Sequence, residues 1–579
     1  MFRLFRYLRG YVKESVVGPL FKMLEACFEL FVPIVMANMI DVGIKNSDTG
    51  YIWRQCALLI SLGVLGFACS ITAQYYAAKA SMGLGTALRE ELFSHMNRLS
   101  YTELDQIGTP TLVTRITSDV NQVQTSVNLL LRLFLRSPFL VVGAVVMAYM
   151  ISHKLTVIFL IAVPLIGLSI FAIVRVTIPI YRRAQESLDR VMRQTRENYT
   201  GARVVRAFSR QKEEMAAFSE TSLELRKIQM NAGRISALMN PITYVLVNLA
   251  IIAILMQSGR EVDRGFLSQG EVIALVNYMN QILIALVALA NLIITVTRGW
   301  ASAGRINEIF DTCPSMTDDG NKEQFTEKSA PAVSFEKVSF TYARDKAPSL
   351  CQISFCADQG ETIGVIGGTG SGKTTLINLI PRFYDASEGK VLVMGHETKE
   401  YPFWQLRKMI GIVPQKAVLF AGTIRENMCW RKPDATDEEI WEALSIAQAR
   451  EFVESKPDGL KEHVAAGGRN FSGGQRQRLT IARALVGSPK ILILDDSASA
   501  LDYATDAALR KAIRENTKGC TVFLVSQRAS AVRHADQILV LEDGTLAGTG
   551  THEELLENCR VYREICQSQF SGEEVETSE

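Results

Sequence analysis

Thr362-Ile-Gly-Val-Ile366 runs directly into Gly367-Gly-Thr-Gly-Ser-Gly-Lys373-Thr374-Thr375, and the reading of this stretch decides the fold of the C-terminal half. The apolar run predicts a buried strand, and the helical pattern of residues 376–379 follows the glycines. Strand, Gly-rich loop and helix in that order form a phosphate-binding turn. Small residues let backbone N–H groups approach phosphate oxygens at a helix N-terminus, where the dipole favours negative charge. Gly367, Gly368, Thr369, Gly370, Ser371, Gly372, Lys373, Thr374 and Thr375 are therefore the expected nucleotide cradle. Lys373 is expected to reach the β- and γ-phosphates, and Thr374 to ligate Mg²⁺.

A second apolar strand, Ile491-Leu-Ile-Leu494, ends in Asp495-Asp496. A buried strand that delivers an acid to its C-terminal edge suits a carboxylate holding Mg²⁺ or its water, a role expected of Asp495. Such a string is common by itself; paired with the Gly-rich loop it is specific.

Outward from these motifs the chain divides into two halves. It has 579 residues, enough for about four domains at roughly 150 residues each or for fewer, larger ones. With 62 basic and 60 acidic side chains the formal charge is +2, which excludes a general polyanion-binding surface and makes nucleic acid an unexpected partner. Ten cysteines occur without a CxxC pair, so neither a disulfide framework nor a zinc site is indicated. Up to about residue 302 long apolar stretches dominate; beyond residue 311 the composition is that of a soluble α/β domain. A bilayer-spanning helix needs about 20 apolar residues, and residues 16–40, 52–77, 129–151, 155–180, 238–256 and 272–296 meet that length.

Short loops join spans one and two, three and four, and five and six. About fifty polar, helix-patterned residues separate the second span from the third and the fourth from the fifth. These connectors carry Arg89, Arg98 and Arg115, then Arg182, Arg183, Arg190, Arg193, Arg196, Arg203, Arg206, Arg210 and Lys212. By the positive-inside rule both connectors and both termini are expected in the cytoplasm, with the membrane helices continuing there as rods. A signal peptide fits the N-terminus poorly, because Lys22, Glu25 and Glu29 interrupt the first apolar run. Arg3, Arg6 and Arg9 among Phe2, Phe5 and Leu8 suggest an amphipathic helix on the inner membrane surface. The expected domains are a six-helix, all-α membrane domain over residues 1–310, a linker at 311–332, an α/β P-loop NTPase domain at 333–570 and a disordered acidic tail at 571–579.

Between the two nucleotide motifs lies Phe471-Ser-Gly-Gly-Gln-Arg-Gln-Arg478. With this run the chain resembles the ABC transporter superfamily, and six spans before one nucleotide-binding domain resemble an exporter half-transporter. The resemblance covers nearly the whole chain and implies a RecA-like core with a helical subdomain, an ATPase coupled to translocation, and a multi-pass protein of the cell membrane. Residues 113–119 and 201–208 resemble the family's stretches in and beside the coupling regions. Tyr342 matches the aromatic that stacks on adenine, Gln415 the Q-loop glutamine at the Mg²⁺ site, and Ser499-Ala-Leu-Asp502 the D-loop. Ser472, Gly473, Gly474 and Gln475 match the signature that caps ATP held by the opposite subunit.

The chain departs from the family pattern at three places. Asp496 stands where the family has a general-base Glu, Gln527 where it has a switch His, and Ala466 where exporters often place Glu before the signature. An aspartate draws the carboxylate back by roughly 1.5 Å, and misplacements near 1 Å cost on the order of a hundredfold in rate. A neutral amide can hydrogen-bond but carries no charge. A weak own site beside an intact signature implies one half of a heterodimeric exporter, completed by a second half-transporter. A slow homodimer and a non-transporting regulatory subunit are the alternatives. A soluble ABC ATPase is disfavoured by the six spans, and an importer by the fusion of ATPase and spans on one chain. Hydrophobic or amphipathic small molecules, drugs or lipids, are the expected substrates beside the membrane lipids. Asn38, Tyr244, Asn248, Asn277, Tyr278, Asn280, Gln281 and Asn291 are polar groups at membrane depth that line a path or join helices, with Asn277 and Gln281 on one face. Arg132 and Arg136 are expected to snorkel or pair.

Overall fold

The computed structural model describes residues 2–318, 330–342, 347–497 and 501–569, which form two compact units. The first comprises Met1–Arg98 and Gly108–Thr312, the second Leu99–Ile107 and Cys313–Glu579.

The helices, in chain order, are α1 (Val12–Asn38), α2 (Thr49–Arg98), α3 (Tyr101–Ile107), α4 (Thr109–Thr114), α5 (Val120–Leu133), α6 (Arg136–Ile151), α7 (His153–Thr200), α8 (Ala202–Ala207), α9 (Gln211–Ala237), α10 (Met239–Asp263) and α11 (Gln269–Asp311). All but α3 belong to the first unit. Each of the six expected spans falls inside one of six helical segments long and apolar enough to cross a membrane. At 1.5 Å per residue the 50 residues of α2 reach about 75 Å, more than twice the roughly 30 Å hydrocarbon core, so the helix continues beyond the bilayer as a rod.

Lipid, not water, explains which faces are apolar. Leu155, Phe159, Ala162, Ile166 and Ile170 recur along α7 at helical spacing and pack with Val247 and Ile254 of α10 and Leu275, Tyr278 and Ile282 of α11. Yet Leu160, Leu168 and Phe171 of α7, and Ile60, Leu65 and Phe67 of α2, stay exposed. A helix apolar on all faces is stable only where its outer face meets hydrocarbon.

Polar ties join helices distant in sequence. The Tyr278 hydroxyl donates to the Leu30 carbonyl at 2.7 Å, and Gln281 Nε2 to the Glu29 carbonyl at 3.2 Å. Gln281 thus joins α11 to α1, the helix-joining role open to it from sequence. Arg136 pairs with Glu29 at 2.7 Å, as expected. Asp119 accepts from Arg305 and Arg115, tying the start of α5 to α11. The N-terminal 3₁₀ segment Phe2–Tyr11 also has a protein partner: Leu4 is buried, Tyr7 stacks on Phe310, and Arg3 pairs with Asp311.

The second unit contains β1 (Val333–Phe340), β2 (Leu350–Ala357), β3 (Thr362–Gly367), β4 (Glu388–Val393), β5 (His396–Glu397), β6 (Ile410–Val413), β7 (Gly422–Thr423), β8 (His463–Val464), β9 (Ile491–Asp495), β10 (Thr521–Val525), β11 (Gln537–Glu542) and β12 (Thr545–Gly550). Six of these strands form a sheet in the order β12-β11-β3-β10-β9-β6, with only the β11–β12 pair antiparallel. Strands β9 and β10 are buried throughout, the continuous apolar pattern of parallel strands covered on both faces. Four further strands form the sheet β2-β1-β4-β5.

Helix α3 belongs to this unit because of its aromatic contacts. The Tyr101 ring lies 4.6 Å from Phe383, and the Tyr384 hydroxyl donates to Asp105 at 2.6 Å. Burial and the Asp105 carboxylate together raise the Tyr384 phenol above its ordinary range. Helix α8, by contrast, buries no residue, and Val204 and Phe208 at its end are exposed.

The start of α11 is fixed by a close backbone approach. Asp41 accepts from the Ser268 hydroxyl and from the Gly270 N–H, while Ser268 and Glu271 form a capping box. A Cβ on Gly270 would strike the Ala37 carbonyl oxygen and lie 2.8 Å from its Cα, whereas a Cβ on Gly304 of the same helix meets open space. Gly270→Ala is therefore expected to destabilise the chain by about 1–3 kcal/mol through overpacking. Gly304→Ala should be neutral or slightly stabilising through helix propensity. Thermal unfolding of the two variants side by side checks this.

Candidate functional site

Parallel strands that end at one edge gather their following loops into one crevice. Here β3, β10, β9 and β6 are neighbours, and their ends deliver Gly367 and Gly368, Gln527, Asp495 and Asp496, and Gln415 respectively. Thr369, Gly370, Gly372, Lys373, Thr374, Thr375, Tyr342, Gln415, Asp495, Asp496 and Gln527 line one cavity of about 580 Å³.

The loop between β3 and the next helix, α12 (Lys373–Leu379), needs glycine at defined points. Gly370 and Gly372 have φ of 83° and 97°, where side chains other than glycine's are strained. A Cβ on Gly372 would also lie 2.8 Å from the Ser349 carbonyl oxygen. Lys373 Nζ donates to the carbonyls of Gly367 and Gly368 at 2.9 and 2.6 Å, which holds the ammonium over the loop. Burial pulls its pKa below the ordinary lysine range. Ser371 is buried and does not line the cavity.

Asp495 is buried at the end of β9, and the Thr374 hydroxyl donates to its two oxygens at 3.3 and 3.2 Å. Burial raises the Asp495 pKa, and neighbouring Asp496 raises it further. A desolvated carboxylate beside a hydroxyl is a hard-oxygen donor set of the kind Mg²⁺ takes, so the residues fit that ion. Among the described residues no group of three or more His, Cys, Asp or Glu side chains could hold a metal, so these side chains alone do not complete a cation's coordination shell. Asp496 has φ +44°, a left-handed conformation costing of order 1–3 kcal/mol, and its N–H donates to the Val525 carbonyl at 3.0 Å.

Tyr342 is half-exposed at the cavity's edge. Its hydroxyl shares a 3.0 Å hydrogen bond with Thr375, and its ring meets Phe340 and Tyr384 edge-on. Gln415 and Gln527 are both exposed into the cavity.

The signature run is placed elsewhere. Ser472 caps the helix Gly473–Leu485 in a reciprocal box, its hydroxyl accepting from the Gln475 N–H at 3.3 Å while Gln475 Oε1 accepts from the Ser472 N–H at 3.0 Å. Ser472 and Gly473 are exposed, and none of Ser472, Gly473, Gly474 and Gln475 lines the cavity. Ser499 lies outside the described residues. Asp502 caps the helix Tyr503–Asn516, and hydrogen bonds from the Thr505 N–H and hydroxyl hold its carboxyl below the usual range.

Several neighbours escaped the sequence reading. Asp543 and Gly544, in the turn between β11 and β12, and Pro348 and Ser349 form part of the cavity wall. The Asp-Gly pair between two apolar runs is a hairpin signal that locates the turn but not what it faces. Gln569, near the C-terminus, donates from Nε2 to the Gln527 carbonyl and accepts from the Ala529 N–H, both at 2.7 Å. No local pattern signals that brace.

Comparison with known proteins agrees with this architecture. The ABC transporter transmembrane region family matches residues 16–287, and the ABC transporter family matches residues 350–499. The chain is 36% identical over 567 residues to an uncharacterized ABC transporter ATP-binding protein of Mycobacterium tuberculosis, covering 97% of each chain. It is 34% identical to the probable multidrug resistance ABC transporter ATP-binding/permease protein YheI of Bacillus subtilis, over 98% of this chain and 97% of that one. It is 31% identical to the ATP-dependent lipid A-core flippase of Chromobacterium violaceum, over 98% and 97%. The solved structure of a bacterial Atm1-family ABC exporter with ATP bound superposes with a TM-score of 0.80 at 23% identity, over 97% of this chain and 100% of that one. Six apolar helices, one α/β domain with a phosphate-binding loop and these full-length relatives place the chain in the ABC transporter superfamily, as an ATP-binding membrane protein with the exporter fold.

Proposed function

We propose that this chain is one half of a heterodimeric ABC exporter of amphipathic drugs or lipids. In this reading its own ATP site hydrolyses weakly, and its signature completes a competent site on the partner. The observation that carries the reading is the pair Asp496 and Gln527, which face the cavity where family members place a longer acid and a titratable ring.

The Gly-rich loop and Lys373 would hold the phosphates, Tyr342 would stack on the base, and Thr374, Gln415 and Asp495 would hold Mg²⁺. Bound Mg²⁺ would neutralise charge on the phosphate oxygens. Asp496 would accept the proton of the attacking water, but its carboxylate is drawn back. Gln527 donates a hydrogen bond to the phosphate edge and transfers no proton. The nucleotide is then bound longer than it is cleaved, and acts as a clamp.

Two features support a partner chain. Ser472 and Gly473 of the signature stand exposed, none of its residues lines this chain's own cavity, and α8 leaves Val204 and Phe208 uncovered. The proposed substrate class is supported by the apolar spans and by relatives named for multidrug resistance and for lipid A-core flipping. The basic connectors favour a nucleotide-binding domain and both termini in the cytoplasm, with the spans in the cell membrane.

ATP turnover by the full-length chain alone in lipid nanodiscs should be close to background, and Asp496→Asn should leave it unchanged. Restoring both groups, Asp496→Glu with Gln527→His, should raise turnover about tenfold or more, since a positioned base contributes roughly 10²–10⁴. Vigorous phosphate release by the unaltered chain, abolished by Asp496→Asn, is the result that overturns the reading in favour of a homodimer. Lys373→Met should weaken binding of a fluorescent ATP analogue at least about tenfold without lowering the melting temperature, because a charge-assisted contact to phosphate is worth about 1.5–3 kcal/mol.

A further inference from the structure

A side chain that meets a terminal phosphate is only as well placed as the backbone that carries it. Gln527 lines the nucleotide cavity, yet its own segment has little regular structure to fix it. Strand β10 ends at Val525, and the next helix, Ala529–Val532, has only four residues. Backbone groups between the two need partners from elsewhere. The Ser526 N–H donates to the Val365 carbonyl at 3.0 Å, and the Ser526 hydroxyl accepts from the Arg528 N–H at 3.0 Å. These bonds hold the residues on either side of Gln527.

Gln569 holds Gln527 itself. Its Nε2 donates to the Gln527 carbonyl and its Oε1 accepts from the Ala529 N–H, each at 2.7 Å. A primary amide is uncharged and presents a donor and an acceptor side by side, so one group spans the turn from Gln527 to the start of the next helix. The two backbone partners also dictate which end of the amide is oxygen and which is nitrogen. Gln569 does not line the cavity.

The buried face of the last helix aims this amide. In Arg560–Gln569 the residues Tyr562, Cys566 and Gln569 recur at i, i+4 and i+7 and share one face. Tyr562 and Cys566 are buried in a cluster with Ile366, Ala529 and Val532, and the Tyr562 hydroxyl shares a 2.8 Å hydrogen bond with His552 Nδ1. Ile366 directly precedes Gly367 of the phosphate loop. The helix is thus seated beside the strand that feeds the loop and beside the helix that follows Gln527. From helix Tyr503–Asn516, Arg510 donates to the Ser530 and Ala531 carbonyls at 2.8 and 3.0 Å, which holds the far end of the same segment.

We propose that Gln569 is a positioning residue of the nucleotide site, whose amide sets where the Gln527 side chain would meet the terminal phosphate. This role rests on the reading of Gln527 as the group that faces that phosphate. A site braced in this way distinguishes a triphosphate from a diphosphate through a residue that touches neither.

The test uses the full-length chain in lipid nanodiscs, titrated with the fluorescent methylanthraniloyl derivatives of ADP and of the non-hydrolysable triphosphate AMP-PNP. The quantity read is the ratio of the two affinities. Gln569→Met keeps an unbranched side chain of high helix propensity and adds no charge, but removes both hydrogen bonds. Gln527→Ala should lower the preference for the triphosphate about tenfold, as expected for one hydrogen bond to a charged group. Gln569→Met should lower it at least about threefold with little change in the affinity for the diphosphate. The double variant should lose no more than Gln527→Ala alone, because the two residues act through one contact. An unchanged preference in Gln569→Met beside a reduced one in Gln527→Ala overturns the positioning role alone. Equal weakening of both nucleotides by Gln569→Met, or additive losses in the double variant, overturns it too, since a merely structural prop behaves that way. If Gln527→Ala itself leaves the preference unchanged, the reading of Gln527 falls and the role of Gln569 with it. The triphosphate analogue is not cleaved, so the result is independent of whether this chain or a partner hydrolyses ATP.

Discussion

Everything chemical in this molecule depends on a run of parallel strands ending at one edge. Strands β3, β10, β9 and β6 lie side by side in the same direction, and the first residues beyond each become neighbours although they are up to 160 positions apart. Hydrogen bonding sets the register: Val525 stands opposite both Asp495 and Val365, so the acidic pair and the Gly-rich loop emerge at one level. Burial of every residue in β9 and β10 opposes slippage, because a one-residue shift would draw a flanking polar residue, Lys490 or Asp496, into the buried layer.

The first unit obeys a different constraint. Its helices have no water to drive their apolar faces together, so association relies on close packing and a few polar contacts. Ala144, Ala148, Ala250 and Ala274 permit close approach in the helical core, and Gly270 admits the Ala37 backbone at the helix end. The polar contacts are sparse and specific. Tyr278 reaches one carbonyl of α1, Gln281 reaches the one before it, and Asp41 holds the opening turn of α11. Helix α11 is thus tied to α1 at Glu29 and Leu30, and its start to the turn that follows α1.

Legibility in the sequence followed the range of the physical cause. The Gly-rich loop could be read because its requirement is local: two positive-φ positions and a helix start within a dozen residues. The spans could be read because hydrocarbon thickness sets a minimum length, and their rod-like continuations because the helical pattern persists into the connectors. Long-range pairings could not. Lys22, Glu25 and Glu29 read only as interruptions of an apolar run, because the partner of Glu29 lies 107 residues away on α6. Arg3, Arg6 and Arg9 suggested a membrane surface, yet Leu4 and Tyr7 of that segment find protein, including Phe310 at the far end of the unit's sequence. Gln569 was invisible as a brace of Gln527 for the same reason.

The aromatic cluster in the second unit shows how an otherwise generic contact acquires consequence. Tyr342 meets Tyr384 edge-on at 5.3 Å, Tyr384 lies 6.0 Å from Tyr101, and its hydroxyl is anchored on Asp105. The Tyr342 hydroxyl is also held, by Thr375 at the first turn of α12. A ring at the edge of the nucleotide cavity is therefore in van der Waals contact with a ring that touches α3, and both are fixed at their polar ends. Interiors packed this densely do not deform smoothly. A shift of the Tyr342 ring toward Tyr384 must be taken up either by rotation of Tyr384 about its hydrogen bond or by movement of α3 itself. Breaking the bond leaves the hydroxyl of the buried Tyr384 without its partner, at a cost of about 1–3 kcal/mol. Moving α3 keeps the bond and shifts a short helix whose flanking chain continues into α2 and α4. The second route keeps the Tyr384–Asp105 hydrogen bond.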